Sequence, residues 1–233
     1  MSLLSETFAT TRAEGRAALV GYLPAGFPSA AEAVAVIAAM VENGVDIVEV
    51  GLPYSDPLMD GPVIQSAVDT ALAGGTRIRD VLACVAATAA SGAPALVMSY
   101  WNPIERYGTV RFADELAAAG GVGVITPDLT PEEAGECIAA TDAARVDRVF
   151  LVAPSSTDER IQTVAGVTTG FVYAASTMGV TGVRTAVSGA AEQLVARVRA
   201  ATTLPVCVGL GVSTGAQAAE VAGYADGVIV GSA

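Results

Sequence analysis

The stretch Ile47-Val48-Glu49-Val50-Gly51-Leu52-Pro53-Tyr54-Ser55-Asp56-Pro57 decides how this chain is read. It opens as a short β-branched run, the kind of strand that is covered on both faces. Glycine and proline then end the run and open a loop. The same grammar recurs near Ala18–Gly21, Ala95–Ser99, Gly123–Thr126, Arg148–Val152, Phe171–Ala174, Val206–Gly209 and Gly227–Val230. Ala-rich amphipathic stretches lie between these runs, one of them near Ala190–Ala200. Eight strands alternating with helices predict an α/β fold, a (β/α)8 TIM barrel rather than a doubly wound sheet. The 233 residues fit one such domain, 1–233, without a linker or low-complexity tail.

Local signals place the helix ends. Ser29/Glu32, Thr130/Glu133, Ser156/Glu159 and Thr214/Gln217 have capping-box spacing. Pro131 is expected at a first helical position, where its missing N–H costs nothing. Gly44, Gly92 and Gly120 follow helical stretches and suit a left-handed closing residue. The sequence stops at Gly231-Ser232-Ala233, directly after the eighth strand. We therefore expect a barrel that lacks its final C-terminal helix, and read the chain as C-terminally truncated.

Composition narrows the chemistry. The chain has 12 basic and 24 acidic residues and no histidine. Every basic residue is arginine, so lysine is absent too. Ser-His and Cys-His pairs, His-based zinc sites, Schiff bases and P-loop lysines are excluded. A net charge of −12 argues against nucleic acid or an anionic membrane as partner. No signal peptide opens the chain and no apolar run is long enough to span a bilayer. Cys84, Cys137 and Cys207 fit buried thiols in a reducing cytoplasm, with no metal site.

Barrel sites lie at the C-terminal ends of the strands. Strand alternation puts Ile47 and Glu49 on one face and Val48 and Val50 on the other. Glu49 is either a buried acid–base group with a raised pKa, or a glutamate paired with an arginine, or one at the edge of a strand whose bounds are misplaced. Asp56 suits a turn, and Asp60, before Gly61, suits a turn or a site equally. Three glycine turns end the late strands: Gly179-Val180-Thr181-Gly182, Gly209-Leu210-Gly211-Val212-Ser213 and Gly231-Ser232. Their amides can hold a phosphate without lysine. The stretch Ser176–Ser188 is either a lid or a surface excursion, and Arg184 within it either meets an anion or is solvated. Tyr22, Ile64, Met98, Tyr100, Ile125 and Tyr173 are each core residues taken singly, and together could line a slot for a flat aromatic ligand. Trp101 and Asn102 read as packing and turn residues, Phe150 and Phe171 as core.

Together these motifs resemble the tryptophan synthase α subunit family. The resemblance rests on Glu49–Pro57 with Asp60-Gly61-Pro62, then Ile64-Gln65, Met98–Pro103, Pro127-Asp128-Leu129, Tyr173 and the three glycine turns, in family order over essentially the whole chain. It implies a lyase of tryptophan biosynthesis that reversibly cleaves indole-3-glycerol phosphate to indole and glyceraldehyde 3-phosphate. By that resemblance Glu49 is the general acid–base, Asp60 the carboxylate that holds the indole N–H, and Tyr173 a tyrosine beside the acid. Gly182, Gly211, Gly231 and Ser232 match the phosphate cradle, and Thr181 the lid. Tyr22, Ile64, Met98, Tyr100 and Ile125 match the indole slot. The family implies no cofactor in this chain, a β subunit carrying pyridoxal phosphate as partner, and an α2β2 assembly. Two alternatives are a catalytically impaired barrel that activates the β subunit and a stand-alone lyase. Met59 stands where the family commonly has alanine, and Thr177-Met178 where many members have Arg-Ala. The missing helix would adjoin the Gly231-Ser232 turn, where its loss should weaken phosphate binding.

Overall fold

The computed structural model describes residues 2–176, 189–209 and 211–232. Its strands form a parallel barrel. β1 (Ala18–Pro24), β2 (Ile47–Gly51), β3 (Ala95–Met98), β4 (Gly123–Ile125) and β5 (Asp147–Val149) follow one another around one side. β6 (Leu151–Val152), β7 (Val172–Ala175), β8 (Val206–Gly209) and β9 (Gly227–Val230) complete the other, and β9 pairs with β1. Nine strands thus stand where the sequence reading expects eight. The extra one arises because the run Arg148–Val152 is divided at Phe150. β5 bonds to β4 on one edge, and β6 bonds to β7 on the other. Side-chain alternation continues across the division: Val149 and Leu151 pack on the barrel interior, Phe150 and Val152 on the outer layer. It is one strand that changes neighbours, and it joins the two edges of the sheet.

The chain sorts its residues into three apolar layers. Inside the barrel lie Val20, Ile47, Leu96, Ile125, Val149, Phe171 and Cys207. Helix α1 (Leu3–Ala13) closes the N-terminal end of this interior with Leu4 and Phe8, and the Phe8 and Phe171 rings meet edge to face at 5.9 Å. Outside β1–β4 pack α2 (Ala30–Glu42), α4 (Ile78–Ala90), α5 (Trp101–Tyr107) and α6 (Thr109–Ala118). Outside β6–β9 pack α7 (Gly135–Ala144), α8 (Asp158–Val167), α9 (Gly189–Ala201) and α10 (Gly215–Ala222). Helix α3 (Pro62–Ala73) begins on Pro62 at its first turn. After β9 the described chain continues through Gly231 and Ser232. Between α2 and α10 an outer groove of about 760 Å³ is lined by Leu19, Met40, Val45, Ala218 and Val230.

The helix ends follow local chemistry, with two corrections. Thr214 and Gln217 form the expected capping box, and the Ser29 hydroxyl accepts from the Glu32 N–H. Gly44, Gly92 and Gly120 have φ of 99°, 87° and 81°. Ser156 is not the cap of α8: Thr157 accepts from Arg160 N–H, and the Ser156 hydroxyl instead accepts from Ala153 N–H. Thr130 and Pro131 open a turn, bonded from Glu133 N–H and Ala134 N–H back to their carbonyls, and α7 starts later at Gly135. No described helix is long and apolar enough to cross a membrane.

Candidate functional site

The strand period carries Glu49 into the barrel. Ile47 faces the interior and Val48 and Val50 face the outer helices, so Glu49 points inward. It is 2% exposed, and its Oε1 has no hydrogen-bond partner among the described residues. Among the described residues no arginine bridges to it, and it lies within β2, paired to β1 and β3, rather than at a strand edge. Burial alone pushes its carboxyl from 4.5 to about 8. At neutral pH it therefore keeps a proton that it can donate.

Asp60 is buried just before α3 and is held from two sides. The Tyr100 hydroxyl donates to its Oδ1 at 2.8 Å, and the Gln65 side-chain amide donates to its carbonyl at 2.6 Å. Burial pushes the Asp60 carboxyl up, while the Tyr100 bond opposes the shift by favouring the anion. The Tyr100 hydroxyl also accepts from Met59 N–H at 2.9 Å. Tyr100 is itself placed by its neighbours: Trp101 N–H donates to both Asp128 carboxylate oxygens, at 2.9 and 3.1 Å, which fixes the start of α5. Trp101 and Asn102 belong to that helix rather than to a turn, and the Asn102 amide donates to the Tyr54 hydroxyl at 2.9 Å. Asp56 lies outside, exposed, and accepts from the Ser55 hydroxyl.

Two tyrosines flank Glu49. Tyr22 on β1 is its register partner, and Tyr173 on β7 packs in the same interior. Each hydroxyl rests against a glycine on a neighbouring strand, Tyr22 against Gly51 and Tyr173 against Gly209. A Cβ at Gly51 would stand 2.5 Å from the Tyr22 oxygen, so the close approach requires glycine there. Burial pushes both phenols well above the usual tyrosine range, and negative charge at Glu49 adds to this. Both stay protonated at neutral pH.

These groups line one cavity of about 470 Å³, part of it open to solvent, at the C-terminal ends of the strands. Glu49, Asp60 and the two tyrosines meet Ile64 and Met98 there. Gly211, Gly231 and Ser232 bring the turns after β8 and β9 to the same space, and Gly211 has φ 99°. The structure thus joins nine of the residues singled out in the sequence. It separates two others. Tyr100 sits behind Asp60 as its donor, and Ile125 is fully buried among interior residues. Thr181, Gly182 and Arg184, with Gly179, Thr177 and Met178, lie outside the described residues. Val212 and Ile229 also line the cavity and were missed. Alternation along β9 was the available signal for Ile229; for Val212 there was none beyond its place in a glycine turn. Among the described residues no cluster of three or more potential metal ligands forms.

The arrangement can move a proton at Glu49, hold a partial positive charge at Asp60 and seat an anion at the glycine turns. Comparison with known proteins identifies the family. The family model for the tryptophan synthase alpha chain matches residues 8–233. The chain is 64% identical to the tryptophan synthase alpha chain of Thermobifida fusca, covering 100% of itself and 87% of that relative. It is 62% identical to the Nocardia farcinica protein of the same name, with the same coverage. Its fold superposes on a solved structure of Mycobacterium tuberculosis tryptophan synthase with a TM-score of 0.95 at 58% identity, over 99% of this chain and 88% of the other. With its fold, its cavity and its relatives in agreement, the chain belongs to the tryptophan synthase alpha chain family.

Proposed function

We propose that residues 1–233 act as one barrel domain, the α subunit of a tryptophan synthase, that reversibly cleaves indole-3-glycerol phosphate to indole and glyceraldehyde 3-phosphate. The observation that carries this reading is Glu49: a buried carboxyl with a free oxygen, facing the same cavity as Asp60 and two glycine turns. Glu49 in its acid form gives a proton to indole C3. The ring becomes an indolenine-like cation, and Asp60 accepts a hydrogen bond from its N–H and stabilises the charge. The C–C bond breaks, and its electron pair restores the neutral indole. The hydroxyl on the departing carbon loses its proton to the Glu49 carboxylate and becomes the aldehyde. The proton count closes without lysine, histidine or an external base.

The remaining residues bind and orient. Gly211, Gly231 and Ser232, with Gly182, cradle the phosphate through backbone amides. Ile64, Met98 and Tyr22 form walls of the indole slot, Tyr173 orients Glu49, and Thr181 acts in the lid. Tyr100 acts on Asp60 from behind rather than as a slot wall, and Ile125 supports the floor from within the core. The chain itself carries no cofactor in this account, and it works in the cytoplasm. Its partner is a β subunit with pyridoxal phosphate, in an α2β2 assembly. The loop before α3 and the first turn of α3 suit that contact, since Leu58 is 69% exposed and Val63 50% exposed.

The test is indole release from indole-3-glycerol phosphate by the purified chain, alone and with a β subunit. We expect release that increases on mixing. Release with no increase favours a stand-alone lyase. Activation of the β subunit without release favours the impaired barrel. In Asp60→Asn the rate should fall about a hundred- to a thousandfold, with phosphate affinity kept. Wild-type rates in that variant would remove Asp60 from the mechanism.

A further inference from the structure

We propose that the Tyr22 hydroxyl is a positioning group for Glu49, the hydrogen-bond donor that its carboxylate needs once the proton has been given away. This rests on Glu49 as the acid–base group. The sequence reading uses Tyr22 only as an apolar wall, which leaves its hydroxyl unexplained.

The geometry sets the hydroxyl in place from two sides. Tyr22 and Glu49 are register partners on adjacent parallel strands and face the same cavity. The Tyr22 oxygen leans along β2 onto Gly51, the next residue on Glu49's face. At the other end of the ring, a Cβ on Gly231 would stand 3.1 Å from the Tyr22 ring. Glycine at both positions lets the ring lie flat between the phosphate turn and the acid. The hydroxyl therefore has a fixed seat against Gly51, in the cavity that Glu49 and Asp60 also line, with no hydrogen bond to Glu49 in the acid form.

The chemistry requires such a donor. Glu49 Oε1 has no described partner, and leaving a buried carboxylate without a donor is costly. The titratable groups that face Glu49 from the packed elements are Tyr22 on β1, Tyr173 on β7 and Cys207 on β8, with Asp60 across the cavity. None is a cation. Of these, Tyr22 alone rests its hydroxyl on Glu49's own strand, at Gly51, whereas the Tyr173 hydroxyl rests on Gly209 of β8. In the resting enzyme Glu49 holds its proton. When that proton moves to substrate carbon, the new Glu49 carboxylate draws up to the Tyr22 O–H and accepts its hydrogen bond, and Tyr22 keeps its own proton.

The experiment is Tyr22→Phe in the full chain, assayed for indole release from pH 6 to 10 beside wild type. The phenyl ring keeps the packing and loses only the donor. We expect kcat to fall about ten- to a hundredfold with KM nearly unchanged, the size of a lost charge-assisted hydrogen bond. Without the donor the Glu49 anion is less favoured, so the alkaline limb of kcat should move up by about one pH unit. An unchanged kcat overturns the proposal, and so does a lower kcat with an unmoved limb, which marks a packing effect. If wild type releases no indole, the functional reading fails instead. The infrared carboxyl band of Glu49 then still decides this proposal, since it should titrate about one unit higher in Y22F. Should Y22F not fold, Gly51→Ala sets a methyl in the hydroxyl's seat and is expected to give the same shift; no shift there overturns the proposal.

Discussion

A carboxyl that keeps its proton to about pH 8 affects stability as well as chemistry. The folded chain binds that proton more tightly than the unfolded chain, whose Glu49 titrates near the ordinary 4.5. Between those values the unfolded state has lost the proton and the folded state has not. Stability therefore falls as pH rises from 4.5 to about 8, by about 1.4 kcal/mol per pH unit from this group. Below 4.5 and above about 8 the contribution is flat. Glu49→Gln removes the slope, so urea unfolding at pH 5 and pH 9 should show the variant gaining on wild type by several kcal/mol at the higher pH. Parallel pH curves for the two proteins would mean that Glu49 is solvated. Glu49 was legible in the sequence because a lone acid interrupts an apolar strand. The role of Tyr100 was not, because its partner Asp60 lies forty residues earlier and only the fold brings them to 2.8 Å.

At the scale of elements, caps decide where helices start, and the capping box of α10, with both bonds made, is the clearest test. Thr214→Ala removes the side-chain half of the α10 capping box and should cost about 1 kcal/mol in unfolding, with the cavity residues left in place. A change under a few tenths would show that the β8–α10 turn holds itself. The strands were readable because most are nearly continuous apolar runs; β8 and β9 fall on the predicted residues. The helix starts were less so. Thr130 and Pro131 have the spacing of a helix start, but the backbone there satisfies itself in a turn. Helix α1 was missed although Leu4, Phe8 and Thr11 have i, i+4, i+7 spacing, because the rest of it is polar and faces water.

For the whole molecule, the barrel divides its labour between its ends. Its N-terminal end is closed for stability by α1, and by Arg16 bonded through both terminal nitrogens to Asp46. Phe8→Ala should cost about 3–5 kcal/mol by opening a cavity beneath Phe171, while the site at the far end keeps its rate in the protein that remains folded. A drop in kcat equal to the drop in stability would show that the two ends are coupled. The C-terminal end gathers an acid, a second carboxylate and glycine turns into one cavity. The central claim is that Glu49 moves the proton there. It is tested most directly by single-turnover cleavage of indole-3-glycerol phosphate by wild type and Glu49→Gln at pH 7. We predict a rate about a hundred- to ten-thousandfold lower in the variant, with glycerol phosphate binding unchanged. Cleavage by Glu49→Gln at the wild-type rate would contradict the account.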